Sequence, residues 1–257
     1  MARHLVLRLD APLMAFGGET IDNYGVIRRF PAKSMIVGLV ANALGIERYE
    51  GERLQCLQDR LAMASRIECP GELLKDYQTV RLLADDQGWT TRGHPEGRNR
   101  TSPSFVLDQD HLRRTGKAVK SQTHRRFRDN WADAVTSVVF RLEPSDEPPT
   151  LDRIAGALQE PERPLFLGRK PCLPSVRLYM GEIDGTDTYD ALAKAPPPPG
   201  YAWRGELMQW PDGEGPDHGP QQGRLVELCD ERNWISGVHG GVRLVRVLDR
   251  SRGEKMP

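Results

Sequence analysis

Apolar positions recur along the chain with two different periods, which separate predicted strands from predicted helices. Leucine occupies every second position of a strand predicted over residues 3–9. Residues 34–45 are apolar on nearly every side, and Pro31 before them and Gly45 at their end mark the limits of a helix. Because such a helix must be buried on most of its faces, we expect it to pack against a sheet.

The remaining pattern adds elements in an order that indicates a fold class. A second helix is predicted over 51–64 and a third over 151–158. The predicted strands, of which the first two pair with each other, are 64–69, 73–83, 135–142, 175–183, 203–209, 224–229 and 242–248. This order predicts an α+β fold with a ferredoxin-like or RRM-like βαββαβ core. We assign the core domain to residues 1–183 and a β-rich extension packed on it to 184–257.

The net charge of zero hides two oppositely charged segments. Between residues 89 and 128 there are ten arginines and lysines and three carboxylates, whereas between 184 and 231 there are three cations and ten carboxylates. The basic stretch at about 85–130 predicts a protruding arm with hairpin strands at 105–107 and 119–128. Its positive charge would suit binding along a nucleic-acid backbone. A surface loop is the alternative. The candidate RNA-binding residues on the arm are Lys117, Lys120, His124, Arg125, Arg126 and Arg128.

Two further places combine cations with exposed backbone. Arg28, Arg29 and Lys33 crowd the predicted helix that starts at Ser34, where the helix dipole disfavours cations but free N–H groups suit a phosphate. The turn Gly168-Arg169-Lys170 sets a flexible backbone beside two cations, which is typical of a phosphate nest. Solvated surface cations are the alternative interpretation of both.

Large apolar side chains also occur in a glycine-rich loop after the first strand. Met14 and Phe16 precede Gly17 there. Either the two side chains fill the core, or they form a platform on which a base stacks. The sequence alone leaves both alternatives open.

Several classes of site are not indicated. The chain lacks the G-x-x-x-x-G-K-[ST] pattern of nucleoside triphosphate loops. The cysteines at 56, 69, 172 and 229 and the six histidines share no spacing that predicts a disulfide framework, a metal site or a cofactor. The longest apolar run, about a dozen residues, is too short to span a membrane. With no signal-peptide pattern at the N-terminus, we expect a cytoplasmic protein without membrane contact.

Four segments, in this order along the chain, resemble a known family. The strings LVLRLDAPLMAFG (5–17), RRFPAKSMIVGLVANALGIER (28–48), DYQTV (76–80) and LFLGRKPCLPS (165–175) are similar to the CasD subunits of type I-E CRISPR Cascade complexes, a branch of the RAMP superfamily. DERNWISGVHGG (230–241) resembles the C-terminal end of that family more loosely. The likeness spans about 1–80 and 121–182.

The resemblance implies an RRM-like RAMP protein with a thumb in an antiviral ribonucleoprotein complex. Such a subunit caps the Cascade backbone, holds the 5′ handle of the CRISPR RNA (crRNA), and contacts adjacent backbone subunits and the large PAM-recognising subunit. Target DNA near the thumb is a further candidate partner, which the sequence leaves open. The positions that match the family's handle contacts are Met14, Phe16, Gly17, Arg28, Arg29, Lys33, Ser34, Gly168, Arg169 and Lys170. Ala32 replaces a frequent threonine, and the stretches 85–130 and 195–223 are longer than the family's, so thumb contacts rest on charge alone.

The resemblance also implies a binding function without catalysis, because these subunits hold RNA and need no cofactor. The alternative is a metal-independent endoribonuclease that processes CRISPR repeat RNA, as the type I-C branch of the family does. Such cleavage needs a base, an acid and a cation near the scissile phosphate. The residue types available for those roles are Tyr24, Tyr77, His124 and Lys33.

Overall fold

The structure of the chain is a computed structural model. It describes residues 1–18, 24–83, 88–89, 95–96, 106–201, 207–238 and 240–249. The chain divides into two compact units, each with its own internal contacts. Unit 1 comprises Met1–Glu19, Val26–Leu74 and Asp129–Pro257, and unit 2 comprises Thr20–Gly25 and Lys75–Arg128. The helices are α1 (Lys33–Ala43), α2 (Gly51–Arg60), α3 (Gln109–Thr115), α4 (Leu151–Gln159) and α5 (Thr188–Lys194). The strands are β1 (Ala2–Asp10), β2 (Leu13–Met14), β3 (Tyr24–Gly25), β4 (Leu61–Cys69), β5 (Glu72–Leu83), β6 (Gly88–Trp89), β7 (Pro95–Glu96), β8 (Val106–Leu107), β9 (Lys120–Ala132), β10 (Val135–Leu142), β11 (Tyr179–Gly185), β12 (Leu207–Pro211), β13 (Arg224–Leu228) and β14 (Arg243–Asp249).

A seven-stranded sheet in the order β11-β1-β10-β4-β12-β14-β13 organises unit 1. Its first four strands pair antiparallel. Along the chain they occur as β1-α1-β4-β10-α4-β11, with α2 inserted before β4. This is the βαββαβ order that the sequence predicted. The α+β prediction is therefore confirmed.

Strand alternation builds a core on each face of this sheet. Leu5, Leu7 and Leu9 of β1 point to the face covered by α1, α2 and α4, where they join the larger apolar cluster. Val6 points to the other face, where it joins a smaller cluster with Trp210 and residues of α5. The buried side chains of α1 belong to the larger cluster, so this helix packs on the sheet as its apolar sequence indicated.

Two predictions about the segment 51–83 were wrong. The second helix ends at Arg60 rather than near 64, because Leu61 starts β4. The guanidinium of Arg60 donates hydrogen bonds to the carbonyl oxygens of Pro144, Glu147 and Pro148, which fixes the helix end against that loop. The strands β4 and β5 do not form the predicted pair either, since β4 pairs with β10 and β12 while β5 pairs with β9.

The C-terminal part of the chain extends the sheet beyond the βαββαβ core. β12 pairs with β4 through Met208 opposite Arg66, β14 pairs with β12, and β13 pairs with β14. The first residues of the predicted strand 203–209 lie outside the described residues. The boundary that we drew at residue 184 stays a prediction.

Unit 2 is built around the long strand β9. β5, β3 and β8 all pair with it, and β3 does so in parallel. The two predicted hairpin strands pair antiparallel, with Val106 opposite Ser121 and Leu107 opposite Lys120. Most of the predicted thumb between 84 and 105 lies outside the described residues, apart from β6 and β7.

Candidate nucleic-acid interface

The two large apolar side chains of the loop after β1 do not reach the molecular surface. Met14 and Phe16 are 0% and 1% exposed, so their side chains fill the core. The carbonyl of Phe16 accepts a hydrogen bond from the Arg28 N–H at 2.6 Å, and Gly17 pairs with Ile27 in an isolated bridge. Of the three residues predicted here, Gly17 is the exposed one, so a ligand could approach its backbone but not the side chains of Met14 and Phe16.

The N-terminus of α1 already holds an anion, which is a carboxylate of the chain itself. Asp230 Oδ2 accepts the Lys33 N–H at 3.0 Å, and the Asp230 carbonyl accepts the Ser34 N–H at 3.1 Å. The next two N–H groups, of Met35 and Ile36, donate to the Ala32 carbonyl. Since all four donors have acceptors, the role that a phosphate was predicted to play here is filled by Asp230.

A cluster of ion pairs surrounds this carboxylate. Asp230 is 2% exposed, and Arg243 donates to both of its oxygens at 2.7 and 2.8 Å. Burial alone would raise the pKa of Asp230, but the hydrogen bonds and charge of Arg243, the Lys33 N–H and the charge of Arg28 hold that pKa below its ordinary value. Lys33 Nζ pairs with Glu231 Oε1 at 2.8 Å. The Asp230 carboxylate therefore stays ionised at neutral pH.

The other cations at the entrance to α1 face the same C-terminal segment. Arg28 Nη2 donates to the Cys229 carbonyl at 2.9 Å, and Arg29 Nη1 lies 3.6 Å from Asp249 Oδ2. Part of the acidic stretch that ends at Glu231, together with Asp249, thus neutralises the cations that the sequence indicated as an anion site.

The Gly168-Arg169-Lys170 turn packs against the loop after β1. Gly168 has φ +95°, and a Cβ there would lie 1.8 Å from the carbonyl oxygen of Ala15, so only glycine fits. The neighbouring Ala15 N–H donates to the Leu167 carbonyl at 3.1 Å. Arg169 Nη1 donates to the Asp129 carbonyl at 2.8 Å, whereas Lys170 is exposed.

A groove of about 530 Å³ in unit 1 brings these separate segments together. The predicted site residues that line it are Gly17, Ser34, Gly168 and Arg169. Its wall also includes Met35, Gly38 and Leu39 of α1. Three stretches far apart in sequence therefore share one concave surface, and its size suits a small part of a larger ligand.

The side chains of this groove that sequence reasoning missed include Arg48, Phe166, Arg232 and Trp234. The Arg232 guanidinium lies 5.3 Å from the centre of the Trp234 ring. Burial and the positive charge of Arg48 lower the pKa of Arg232 below its ordinary value. Among the residues that the structure describes, neither arginine forms an ion pair with a carboxylate. The two cations repel each other, and a bound anion would relieve that repulsion.

Two glutamines of α2 fix this edge of the groove. Gln58 is 2% exposed, accepts the Arg232 N–H at 3.1 Å and the Trp234 Nε1–H at 2.9 Å, and donates to the Arg232 carbonyl at 2.9 Å. Gln55 accepts the Trp234 N–H at 3.0 Å. The only sequence signal for this edge was that Arg48 and 232–234 fall inside strings that resemble the family.

The candidate cations of the arm belong to unit 2. Lys117 and Lys120 are exposed, as are Arg125 and Arg126, whereas Arg128 is half-buried. His124 lies on β9, but its side chain is outside the described set. As RNA contacts, all six residues remain predictions.

The residue types suggested for RNA cleavage have other contacts in the structure. Lys33 pairs with Glu231 in unit 1, whereas Tyr24 and Tyr77 pack against Phe127 in unit 2. Within the described residues, no three or more His, Cys, Asp or Glu side chains cluster so that they could hold a metal ion. In the same part of the chain, every helix is too short or too polar to cross a membrane.

Comparisons with known proteins agree with this architecture. Residues 4–246 match the family model described as CRISPR-associated protein (Cas_Cas5). The CRISPR system Cascade subunit CasD of Escherichia coli (strain K12) is 26% identical over 198 residues, which cover 77% of this chain and 79% of that protein. One chain of a CRISPR RNA-guided surveillance complex aligns with a TM-score of 0.64 and 21% identity over 95% of this chain and 89% of the other. A solved structure described as "Crystal structure of Cas protein" aligns with a TM-score of 0.52 and 24% identity over 97% and 96%. These two structures support the fold.

Proposed function

Because the chain belongs to the CRISPR-associated protein (Cas_Cas5) family, we propose that it is a non-catalytic RNA-binding subunit of a Cascade surveillance complex. It caps the backbone of that complex, holds the 5′ handle of the crRNA and serves antiviral defence in the cytoplasm. The proposed protein partners are the adjacent backbone subunits and the large subunit that recognises the PAM. The curated relative is itself named as a Cascade subunit, which supports this setting.

One observation carries the proposal: the groove of unit 1 joins the loop after β1, α1 and the Gly168 turn beside two arginines that, within the described residues, have no carboxylate partners. RNA supplies what this groove lacks, since a phosphate would neutralise Arg48 and Arg232 and a base could pack on Trp234. The backbone near Gly17 and Gly168 allows close approach of the ligand. The arm cations, from Lys117 to Arg128, are proposed to contact the RNA backbone, with target DNA nearby.

Reversing the two groove arginines tests this function. We expect Arg48→Glu/Arg232→Glu to weaken binding of a crRNA handle oligonucleotide at least about tenfold, because a hydrogen bond to a charged group contributes about 1.5–3 kcal/mol. The slope of log affinity against log salt should also become shallower by about 0.7 for each phosphate that the variant no longer neutralises. Arg48 suits this test better than Lys33 and Arg169, whose side chains bond to other parts of the chain. Arg232 also donates to the Gly237 carbonyl, at 2.6 Å, so the single variant Arg48→Glu is measured beside the double one.

The matched control is Arg153→Glu/Arg177→Glu, which makes the same charge change at exposed positions outside the groove. Binding is measured on native gels, with circular dichroism to check folding. Equal losses of RNA affinity in the two double variants would mean that the groove is not the RNA-binding site. The same mixtures, incubated without metal and run on denaturing gels, address the endoribonuclease alternative: site-specific cleavage of repeat RNA would replace the non-catalytic proposal.

A further inference from the structure

A polar side chain of α2 is buried where an apolar one would be expected. Gln58 is 2% exposed, and the other buried residues of this helix include Leu54 and Leu57. Burying an amide beside apolar side chains costs free energy unless its polar atoms find hydrogen-bond partners. An apolar residue would fill the same position without that cost. The identity of residue 58 is therefore explained by the partners of its amide.

The partners of the Gln58 amide all belong to one short segment of the groove wall. Its oxygen accepts the Arg232 N–H at 3.1 Å and the Trp234 Nε1–H at 2.9 Å, and its nitrogen donates to the Arg232 carbonyl at 2.9 Å. Only one orientation of the amide makes all three bonds, because the reverse would set its NH2 group against two donors. Two of the bonds fix the backbone at Arg232, and the third fixes the Trp234 ring.

Fixing the Trp234 ring also sets the place of the Arg232 guanidinium. That guanidinium lies 5.3 Å from the ring centre, and its Nη2 donates to the Gly237 carbonyl at 2.6 Å. Without the Nε1–H bond the ring could turn about its side-chain torsions, and the cation that packs on it would move as well. Arg232 and Trp234 both line the groove, whereas Gln58 lies outside its lining. An effect of Gln58 on a ligand in the groove must therefore pass through these two residues.

The shape of the loop that carries Trp234 does not depend on Gln58. Asn233 Oδ1 accepts the N–H groups of Ile235 and Ser236 at 3.1 and 2.9 Å, and the Asn233 carbonyl accepts the Gly237 N–H at 2.8 Å. These bonds close the loop on itself, so its turn is kept when the Gln58 amide is removed. What Gln58 adds is the position of the loop and of its ring relative to the groove.

We propose that Gln58 is a positioning residue for RNA binding, which holds the Trp234 ring and the Arg232 guanidinium in the geometry that accepts a base and a phosphate. The inference rests on the proposed function and gives a role in it to a residue that does not touch the RNA. A wall that is already ordered binds more tightly, because the ligand does not have to immobilise it.

The test replaces Gln58 with methionine, which has a similar length but no amide. Fluorescence anisotropy of a labelled crRNA handle oligonucleotide with the full chain should show affinity weakened at least about fivefold, because the stacking and phosphate contacts are both misplaced. Gln209→Met is the matched control, since Gln209 is a second buried glutamine of unit 1, 4% exposed, that does not line the groove. It should leave the RNA affinity unchanged. Urea denaturation measures the stability of both variants.

A double-mutant cycle with Trp234→Ala separates positioning from a general loss of stability. If Gln58 acts through the ring, Gln58→Met should cost a much smaller factor in affinity when the ring is already absent. The fluorescence emission of Trp234, taken as the difference between the wild type and Trp234→Phe, should also shift in the Gln58→Met background, because the indole loses its hydrogen bond.

The outcomes distinguish this inference from the proposed function. Equal RNA affinity of Gln58→Met and the wild type would overturn the inference and leave the groove as the RNA-binding site, and so would an equal loss with and without the Trp234 ring. A wild-type chain that does not bind the handle oligonucleotide would overturn both. If Gln58→Met does not fold, Trp234→Phe replaces it, since phenylalanine keeps a ring but lacks the Nε1–H. Wild-type affinity in that variant would overturn the inference.

Discussion

Replacing Asp230 with asparagine is expected to lower the free energy of unfolding by about 3–5 kcal/mol, the range found when one partner of a buried ion pair is removed. Asparagine can still accept the Lys33 N–H, so the substitution removes the charge and preserves the shape. Arg243 then loses the carboxylate that takes its two hydrogen bonds, and the start of α1 loses its negative charge. The change in the free energy of unfolding is measured by urea denaturation, with unfolding followed by circular dichroism.

Asp212→Asn is the matched control for Asp230→Asn. Asp212 pairs with Arg246 at 2.7 Å, but both side chains are partly exposed, at 31% and 24%. Solvent screens such a pair, so its loss should cost less than about 1 kcal/mol. If the two variants lost equal stability, the Asp230 pair would not have the special role that its burial indicates.

The Asp230 carboxylate should also make the free energy of unfolding depend on pH in the acid range. The folded-state pKa of Asp230 is depressed, so its contribution is fully present above the unfolded pKa of about 3.9 and is lost as pH falls through the lower folded value. Unfolding measured from pH 6 to pH 3 should therefore show a smaller loss for Asp230→Asn than for the wild type. His4, whose pKa burial lowers, is present in both proteins and cancels in the difference. Parallel curves would contradict the prediction.

The sequence predicted local elements well and long-range partners poorly. The helix α1 and the strands β1 and β10 were predictable because their apolar periods report burial directly. The pairing of β4 with β10 rather than β5 was not, since the short connection at Pro70-Gly71 favoured a hairpin and the deciding contacts lie more than sixty residues away. Cations at the start of α1 indicated an anion, yet no local pattern could reveal that it is Asp230, which reaches the helix from the C-terminal part.

The residues that line the groove were also only partly predictable from the sequence. Gly168 and Arg169 could be named in advance because a glycine beside cations is a local signal, whereas Gly17 and Ser34 were named from the resemblance to the family. Arg48 and Arg232 could not, since a lone arginine has no sequence context that marks it as a ligand-binding cation. The role proposed for them rests on the fold, which holds both beside one cavity and supplies no carboxylate partner for them among the described residues.

Gly168→Ala should both destabilise the chain and damage the groove. The new Cβ would lie 1.8 Å from the Ala15 carbonyl oxygen, and alanine disfavours φ +95°, so the turn must move away from the loop after β1. We expect a loss of about 2–4 kcal/mol in the free energy of unfolding from strain and displaced packing. Because Ala15 and Gly168 both line the groove, handle RNA affinity should fall in the fraction that still folds.

Gly200→Ala separates the steric contribution in Gly168→Ala from the backbone one. Gly200 has φ +87°, close to that of Gly168, but a Cβ there meets nothing within 4 Å. Gly200→Ala should therefore lower the free energy of unfolding by only about 1–2 kcal/mol, which is the backbone penalty alone, and leave RNA binding unchanged. Denaturation and binding curves for the two variants decide the point. Equal losses of stability with equal RNA affinity would mean that the turn does not support the groove wall.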